Sequence, residues 1–186
     1  VHIKLCRNLR TDLRSITAWS YNLPFGSKMT YKLHGIADAI AGGWVISGIT
    51  EFATGAPVTV SYSDNTGTGV GIQRPDSVPG CDLYDAPGDR FEYFNTKCFT
   101  IPAFGTWGNT AQNTLDGPGI NNWNITLKKF FNLHEQHKIE FRGEMYNAFN
   151  HTQWGGITTA LNSTSFGRVG GTRPARQLQF SLFYTF

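Results

Sequence analysis

The chain has 186 residues and a formal net charge of +3, a balance too small to predict a nucleic-acid partner. Only 16% of the residues are charged and 14% are aromatic, and 21 are glycine, a composition that favours an all-β chain with many turns. No run of about 18 apolar residues predicts a transmembrane helix, whereas transmembrane strands need only about ten alternating residues and escape such a search.

Two strands and a connector are predicted in the first third of the chain. Residues 13–23 and 44–54 are rich in β-branched and aromatic side chains, which favour strands. The connector at 24–43 starts with a Pro-Phe-Gly turn signal and contains IADAIA, residues 36–41, which we interpret as a short helical turn. Residues 58–62 either continue the second strand or pair separately.

The segment at 63–120 has weak strand signals and many turn-forming residues, as in SDNTGTGVG, RPDSVPG and LDGPG. A structureless run of this length is uncommon inside a compact domain, but long loops are expected on one side of a barrel. Cys81 and Cys98 lie in this segment and are candidate disulfide partners in an oxidising compartment. The alternative is three unrelated thiols, and Cys6 has no evident partner.

Strict alternation returns in the last third of the chain and predicts three strands with one apolar face each. Strands are predicted at 122–133, 137–150 and 176–186, joined by a short turn at 134–136 and a long loop at 151–175. The apolar faces contain Trp123, Ile125, Leu127, Phe131, Ile139, Phe141, Gly143, Met145, Leu178, Phe180, Leu182, Tyr184 and Phe186, with Phe149 as a further candidate and Lys129 as an interruption. The opposite faces contain Asn124, Thr126, Lys128, Lys138, Glu140, Arg142 and Glu144.

Alternation alone does not decide whether the apolar faces meet lipid or a protein core. Two features favour lipid: the strand length and the apolar terminal strand. The charges of both signs on the opposite face suit a water-filled lumen and the solvated face of a soluble sheet equally well. The eleven residues at 176–186 give a strand of roughly 36 Å, which spans roughly 26 Å when tilted by about 45°. The fold prediction is therefore an antiparallel transmembrane β-barrel. The alternative is a secreted, soluble β-sandwich that binds carbohydrate or mediates adhesion.

Five stretches of the sequence resemble, in the same order, the end of a known receptor family. They are SYNLPFG (20–26), GGWVISGITEFATGAPVTV (42–60), CFTIPAFGTWGNTAQNTLDGPGINNWNITLKKFF (98–131), IEFRGEMYNAFNHTQWG (139–155) and RQLQFSLFYTF (176–186). The family is that of TonB-dependent outer-membrane receptors of the Oar-like type, which often carry an N-terminal carboxypeptidase-regulatory-like domain. The pattern GPGxNNWxxxLxKxF followed by FRxExxNxFNH is the most specific part of the resemblance.

The resemblance implies that residues 1–186 are the C-terminal portion of a barrel, one partial domain without its plug and N-terminal domains. The family usually has about 22 strands, whereas five tilted strands cannot close, because about eight is the smallest barrel that does. In the family's orientation the turn at 134–136 and the connector at 24–43 are periplasmic. The loops at 55–120 and 151–175 are then extracellular, and Cys81 and Cys98 lie outside the cell.

The resemblance also implies a function, a set of partners and roles for particular residues. The protein would be a transporter in the outer membrane of a Gram-negative bacterium, with lipid, the barrel assembly machinery, the TonB energy-coupling protein and an unidentified substrate as partners. The assembly signal would be Leu178, Phe180, Leu182, Tyr184 and Phe186, and the lumen would be lined by Lys128, Glu140, Arg142 and Glu144. Trp44, Trp123 and Tyr184 are expected near a lipid–water boundary.

The sequence contains no group of residues that predicts catalysis, a metal site or a cofactor, and we expect no enzyme activity. HEQH at 134–137 lacks the spacing of the zinc motif HExxH and lies in a predicted turn. GTGVG at 67–71 is not followed by a helix and is interpreted as a flexible loop. Glu140 and Glu144, with Arg142 between them, favour charge balance in a lumen over paired-carboxylate catalysis.

Overall fold

The computed structural model describes residues 13–26, 29–63, 71–132 and 137–186. The predictions for Cys6, for the turn at 134–136 and for GTGVG before Gly71 lie outside the described residues. None of the helices within the described ranges is long and apolar enough to cross a membrane.

Strands dominate the described chain, and the two helices are short. The strands are β1 (Arg14–Asn22), β2 (Trp44–Ala53), β3 (Pro57–Val58), β4 (Tyr62–Ser63), β5 (Ile72–Gln73), β6 (Asp76–Ser77), β7 (Phe99–Thr100), β8 (Leu115–Asp116), β9 (Ile120–Asn132), β10 (Lys138–Tyr146) and β11 (Gln177–Thr185). The helix α1 spans Ile36–Ala41, as the sequence predicts, and a 3₁₀ helix spans Thr96–Cys98.

The five long strands form one sheet in the order β1-β2-β9-β10-β11. The first and last strands of this order are not neighbours, so the sheet is open. Antiparallel pairing sets Ile139 of β10 opposite both Phe131 of β9 and Tyr184 of β11. The chain therefore runs up and down across its three C-terminal strands.

The register confirms the predicted alternation in β9, β10 and β11. Cross-strand partners share a sheet face, and Met145 lies opposite both Ile125 and Leu178. On the other face, Glu144 lies opposite Thr126 and Gln179. One apolar face and one polar face therefore continue across the three strands.

Strand β10 ends earlier than the predicted range of 137–150, and this is a correction. Asn147 and Asn150 have φ angles of 49° and 53°, in the left-handed region that asparagine tolerates better than most residues. The chain turns at 147–149, so Phe149 is not part of the strand's apolar face. The apolar residues of AFN keep the spacing of a strand, but the two asparagines end it.

The chain divides into two compact units. The first, called the loop unit, is built mainly from Ala53–Ile120 and Gln153–Arg173. The second, called the sheet unit, contains Ser15–Phe52, Asn121–Thr152 and Pro174–Phe186. Short two-residue ladders within the loop unit include most of the weak strand signals at 63–120: β4 pairs with β5, β6 with β7, and β8 with β3, which precedes the segment.

Candidate functional site: the two-faced sheet and the loop unit

The apolar face of β11 is exposed along its length. Leu178, Phe180, Leu182 and Tyr184 are 55%, 69%, 69% and 56% exposed. Phe186, one residue beyond the strand, is 85% exposed. The side chains proposed as the assembly signal thus form an unbroken row of large apolar groups without a protein core against them.

A glycine in β10 shapes this apolar face. Gly143 pairs with Phe180, and a Cβ built on Gly143 would lie 3.4 Å from the Phe180 ring. The Phe180 ring also stacks near Phe141, with the ring centroids 6.2 Å apart. The Phe180 ring therefore covers the glycine, and the apolar surface stays continuous where a side chain is missing.

Lys129 interrupts the run of apolar residues in the sequence of β9, but its charged side chain is buried and does not interrupt the apolar surface. Its side chain is 2% exposed, and its Nζ donates hydrogen bonds to the carbonyl oxygens of Ile40 (2.9 Å) and Gly42 (2.7 Å). The ammonium also lies 5.2 Å from the Trp44 ring centroid and 5.1 Å from that of Phe131. The end of α1 therefore covers the one cation among the apolar residues of β9.

The polar face carries the four charged residues predicted to line a lumen. Lys128 lies opposite Arg142, and Arg142 donates from Nε (2.9 Å) and Nη2 (2.7 Å) to Oε1 of Glu140. The Arg142 guanidinium also lies 4.9 Å from the centroid of the Phe183 ring. Glu144 shares the face with these residues. The result is a partly paired surface that bears both signs of charge.

Three asparagines and one aromatic pair organise the turn after β10, and the sequence analysis missed their role. The Asn124 side-chain oxygen accepts from the Asn147 backbone N–H at 3.1 Å. The Asn147 side chain accepts from the N–H of His151 and donates to its carbonyl oxygen, and Asn150 accepts from the N–H of Arg176. The Trp123 and Phe149 rings also meet edge to face at 5.5 Å. GPGxNNW and NxFNH are therefore one local structure, and the repeated Asn in NAFN is the signal that predicts its turn.

The loop unit has a hydrophobic core of its own. Its buried centre consists of Val60, Phe94, Cys98, Phe99 and Leu115. Phe166, from the second long loop, packs against both Phe94 and Phe99, with ring centroids 5.3 Å and 6.1 Å away. The two long loops therefore fold together rather than separately.

A disulfide joins Cys81 to Cys98, with their Cα atoms 5.4 Å apart. Cys98 belongs to the buried centre, and Cys81 packs against it. The bond ties the first long loop to its own core, which suits an oxidising compartment.

The surface of the loop unit offers a polar cavity and several exposed aromatic rings. A cavity of about 350 Å³ is lined by Arg90, Phe91, Thr158, Ser165, Arg168, Val169 and Gly170. Phe91, Phe104 and Trp107 are 64%, 83% and 65% exposed. Burial raises the pKa of the Tyr93 phenol, with smaller contributions from Tyr84 and Asp116.

The described ranges contain no cluster of three or more His, Cys, Asp or Glu side chains that could hold a metal ion. The residues that the sequence singles out lie on two surfaces: the two-faced sheet and the disulfide-bonded loop unit.

The comparisons with known proteins point to one family. The family model described as "Outer membrane beta barrel domain" matches residues 8–179, which is most of the chain. The chain belongs to the outer membrane beta barrel domain family. No curated protein and no solved structure matched the chain.

Membership of the outer membrane beta barrel domain family confirms the predicted fold class and location. The five antiparallel strands are barrel strands, and the protein is localised to the outer membrane of a Gram-negative bacterium. A barrel of this family presents apolar side chains outward to lipid, which agrees with the exposed row on β11. The alternative of a soluble β-sandwich does not agree with the family or with that exposed row.

Proposed function

We propose that this chain is part of a TonB-dependent receptor of the Oar-like type, which transports a substrate across the outer membrane. The five motif stretches support this because they occur in the order found at the end of those receptors. The edge-to-face contact of Trp123 with Phe149, with ring centroids 5.5 Å apart, supports it further, since it joins the two most specific stretches in a single structure.

The observation that carries the proposal is the contrast between the two faces of β9, β10 and β11. Leu182 and Phe180 are each 69% exposed on the apolar face, and burying such a side chain is worth about 1.5–3 kcal/mol. Lipid supplies that gain for the whole row. Glu140 and Arg142 on the opposite face form an ion pair whose side chains are 20% and 30% exposed, and charged groups are costly to remove from water. A water-filled lumen inside a lipid-exposed wall meets both needs.

The open sheet supports the proposal that further strands complete the barrel. Among the described residues, strands β1 and β11 each have one neighbour in the sheet, and exposed strand edges are usually paired or covered in proteins. The missing neighbours would come from the rest of the receptor. The plug and the N-terminal segment that contacts TonB would lie there as well.

The loop unit is the proposed site of substrate capture. Its core and its disulfide hold two long loops in one shape, and that shape presents a cavity and exposed rings. A preformed cavity reduces the ordering cost of binding. We propose binding and transport, without an enzymatic step, and the sequence does not identify the substrate.

Energy coupling is the feature that distinguishes a TonB-dependent receptor from a passive barrel. In cells that make the complete protein, we expect a site-specific crosslink between its N-terminal coupling segment and the periplasmic domain of TonB. A scrambled coupling segment in an otherwise intact barrel is the control. An intact, heat-modifiable barrel that never crosslinks to TonB would overturn the transport proposal while leaving the fold in place.

Phe186 gives a second test, because the assembly machinery is proposed to recognise the aromatic residues at the end of β11. In the complete protein, Phe186→Ala should lower the outer-membrane level, since Phe186 is 85% exposed and contributes little to internal packing. The heat-modifiable band on a gel measures assembled barrel. Thr185→Ala, a neighbouring substitution on the polar side, is the control. An unchanged band for Phe186→Ala would refute the assembly role.

A further inference from the structure

The short helix α1 has an exposed apolar side. Ile36 and Ile40 are 79% and 67% exposed. They are four residues apart and therefore neighbours on one side of the helix. Asp38, between them in sequence, faces the connector instead, since a Cβ built on Gly26 would lie 3.3 Å from its Oδ1. The helix is thus amphipathic although it has only six residues.

The C-terminal end of α1 lies on the apolar side of the sheet. Lys129 shares a face with its partner Phe141, and its Nζ reaches the carbonyl oxygens of Ile40 and Gly42 at 2.9 Å and 2.7 Å. Trp44 packs edge-on against Phe141 at 6.1 Å, and its Nε1 donates to the Ile40 carbonyl oxygen at 2.9 Å. Three hydrogen bonds therefore hold the end of the helix against the apolar face.

Burial of the Lys129 ammonium accounts for the position of α1 against the apolar face of the sheet. A charged lysine on the lipid side of a barrel is costly near the bilayer centre and much less so near the interface. Here the ammonium is 2% exposed, because carbonyl oxygens at the end of α1 and two aromatic rings enclose it. Carbonyl groups at the C-terminal end of a helix have no N–H partner within the helix, so those of Ile40 and Gly42 can accept hydrogen bonds from the ammonium.

We propose that α1 is an interfacial anchor, with Ile36 and Ile40 inserted into the periplasmic leaflet of the outer membrane. The occupant is lipid, because α1 continues the apolar face outward at the strand ends that contain Trp44 and Lys129. Tryptophan is favoured at lipid–water boundaries, which matches the level at which an amphipathic helix lies in the bilayer plane. The anchor rests on the proposed function in two respects. It requires that the apolar face of the sheet meets lipid, and that the strand ends near α1 are the periplasmic ends.

The test uses the complete protein with Cys6→Ser, folded into phosphatidylethanolamine–phosphatidylglycerol vesicles with the Cys81–Cys98 disulfide intact. A fluorescent label is attached at single cysteines in the variants Ile36→Cys, Ile40→Cys, Leu182→Cys and Gln179→Cys. Vesicles with brominated acyl chains quench labels that lie in lipid. Leu182, on the apolar face, is the positive control, and Gln179, on the polar face of the same strand, is the negative control.

The anchor predicts a loss of fluorescence for the labels at Ile36 and Ile40, comparable with that at Leu182 and absent at Gln179. Quenching at Leu182 without quenching at either isoleucine would overturn the anchor and leave the proposed function intact. No quenching at Leu182 would overturn the lipid-facing assignment of the sheet and the anchor with it. The two failures are therefore distinguishable in one set of samples.

Discussion

The sheet unit and the loop unit use apolar side chains in opposite ways. Among the described residues, every buried hydrophobic side chain lies in the loop unit: Val60, Tyr62, Phe94, Cys98, Phe99, Leu115 and Val169. In the sheet unit the buried groups include Lys129, Thr50 and Asn147, whereas Phe180 and Leu182 are exposed. The loop unit folds as a water-soluble protein does. The sheet unit places its apolar groups outside, which is stable only where the surroundings are apolar.

The difference shows that, within one chain of 186 residues, the same kinds of apolar residue face a protein core in one unit and lipid in the other. In the loop unit, aromatic rings pack edge to face, as Phe94 does with Phe99 at 5.8 Å. In the sheet unit, rings such as Phe180 lie along the outer surface of the sheet, over Gly143. Hydrophobicity alone therefore does not distinguish the units; the arrangement of the apolar residues along the chain does.

The largest expected effect comes from emptying the core of the loop unit. Phe94 is fully buried, so Phe94→Ala should cost about 3–5 kcal/mol of loop-unit stability. The sheet unit should keep its barrel, because that substitution leaves the strands unchanged. Trypsin sensitivity of intact cells, together with the heat-modifiable band, separates the two units.

Phe104→Ala is the matched control for Phe94→Ala, because Phe104 is 83% exposed and its loss should change stability by less than about 0.5 kcal/mol. If both variants resist trypsin equally, the loop unit has no core that matters to its fold. If Phe94→Ala instead abolishes the barrel, the two units do not fold independently.

A smaller effect is expected from a charge on the apolar face of the sheet. Leu182→Arg should destabilise the barrel by about 2–4 kcal/mol if the residue lies near the bilayer midplane, and less nearer an interface. Ser181→Arg puts the same charge on the polar face one residue away and should cost less, because that face meets water. Urea unfolding of the complete protein in vesicles measures both. Equal costs would contradict the different surroundings of the two faces.

Much of the sheet was predictable because its physics is local. An apolar residue at every second position can be recognised from the neighbouring sequence alone, so the two faces of β9, β10 and β11 follow from that alternation. The end of β10 was not predicted, because Phe149 continues the apolar spacing while Asn147 and Asn150 turn the chain. Lys129 was noticed as an interruption, but its cover comes from Ile40 and Gly42, far away in sequence.

The loop unit was far less predictable, because its contacts are long-range and have no period. Phe94 and Phe166 meet at 5.3 Å although one belongs to each long loop. Before β9 begins at Ile120, the described part of the segment at 63–120 contains no strand longer than two residues, so its local sequence gives weak signals. The cysteine pair was the one feature of this segment that the sequence offered as a tertiary contact.

The most direct test of the central claim is a scan of nitroxide labels along β11, from Gln177 to Thr185, in the complete protein in lipid vesicles. Oxygen, which concentrates in lipid, and a water-soluble nickel complex report which solvent each label meets. The account predicts strict alternation, with oxygen favoured at Leu178, Phe180, Leu182 and Tyr184 and nickel favoured at the residues between them. Labels at those four positions that neither reagent reaches, or that nickel reaches better than oxygen, would contradict the account.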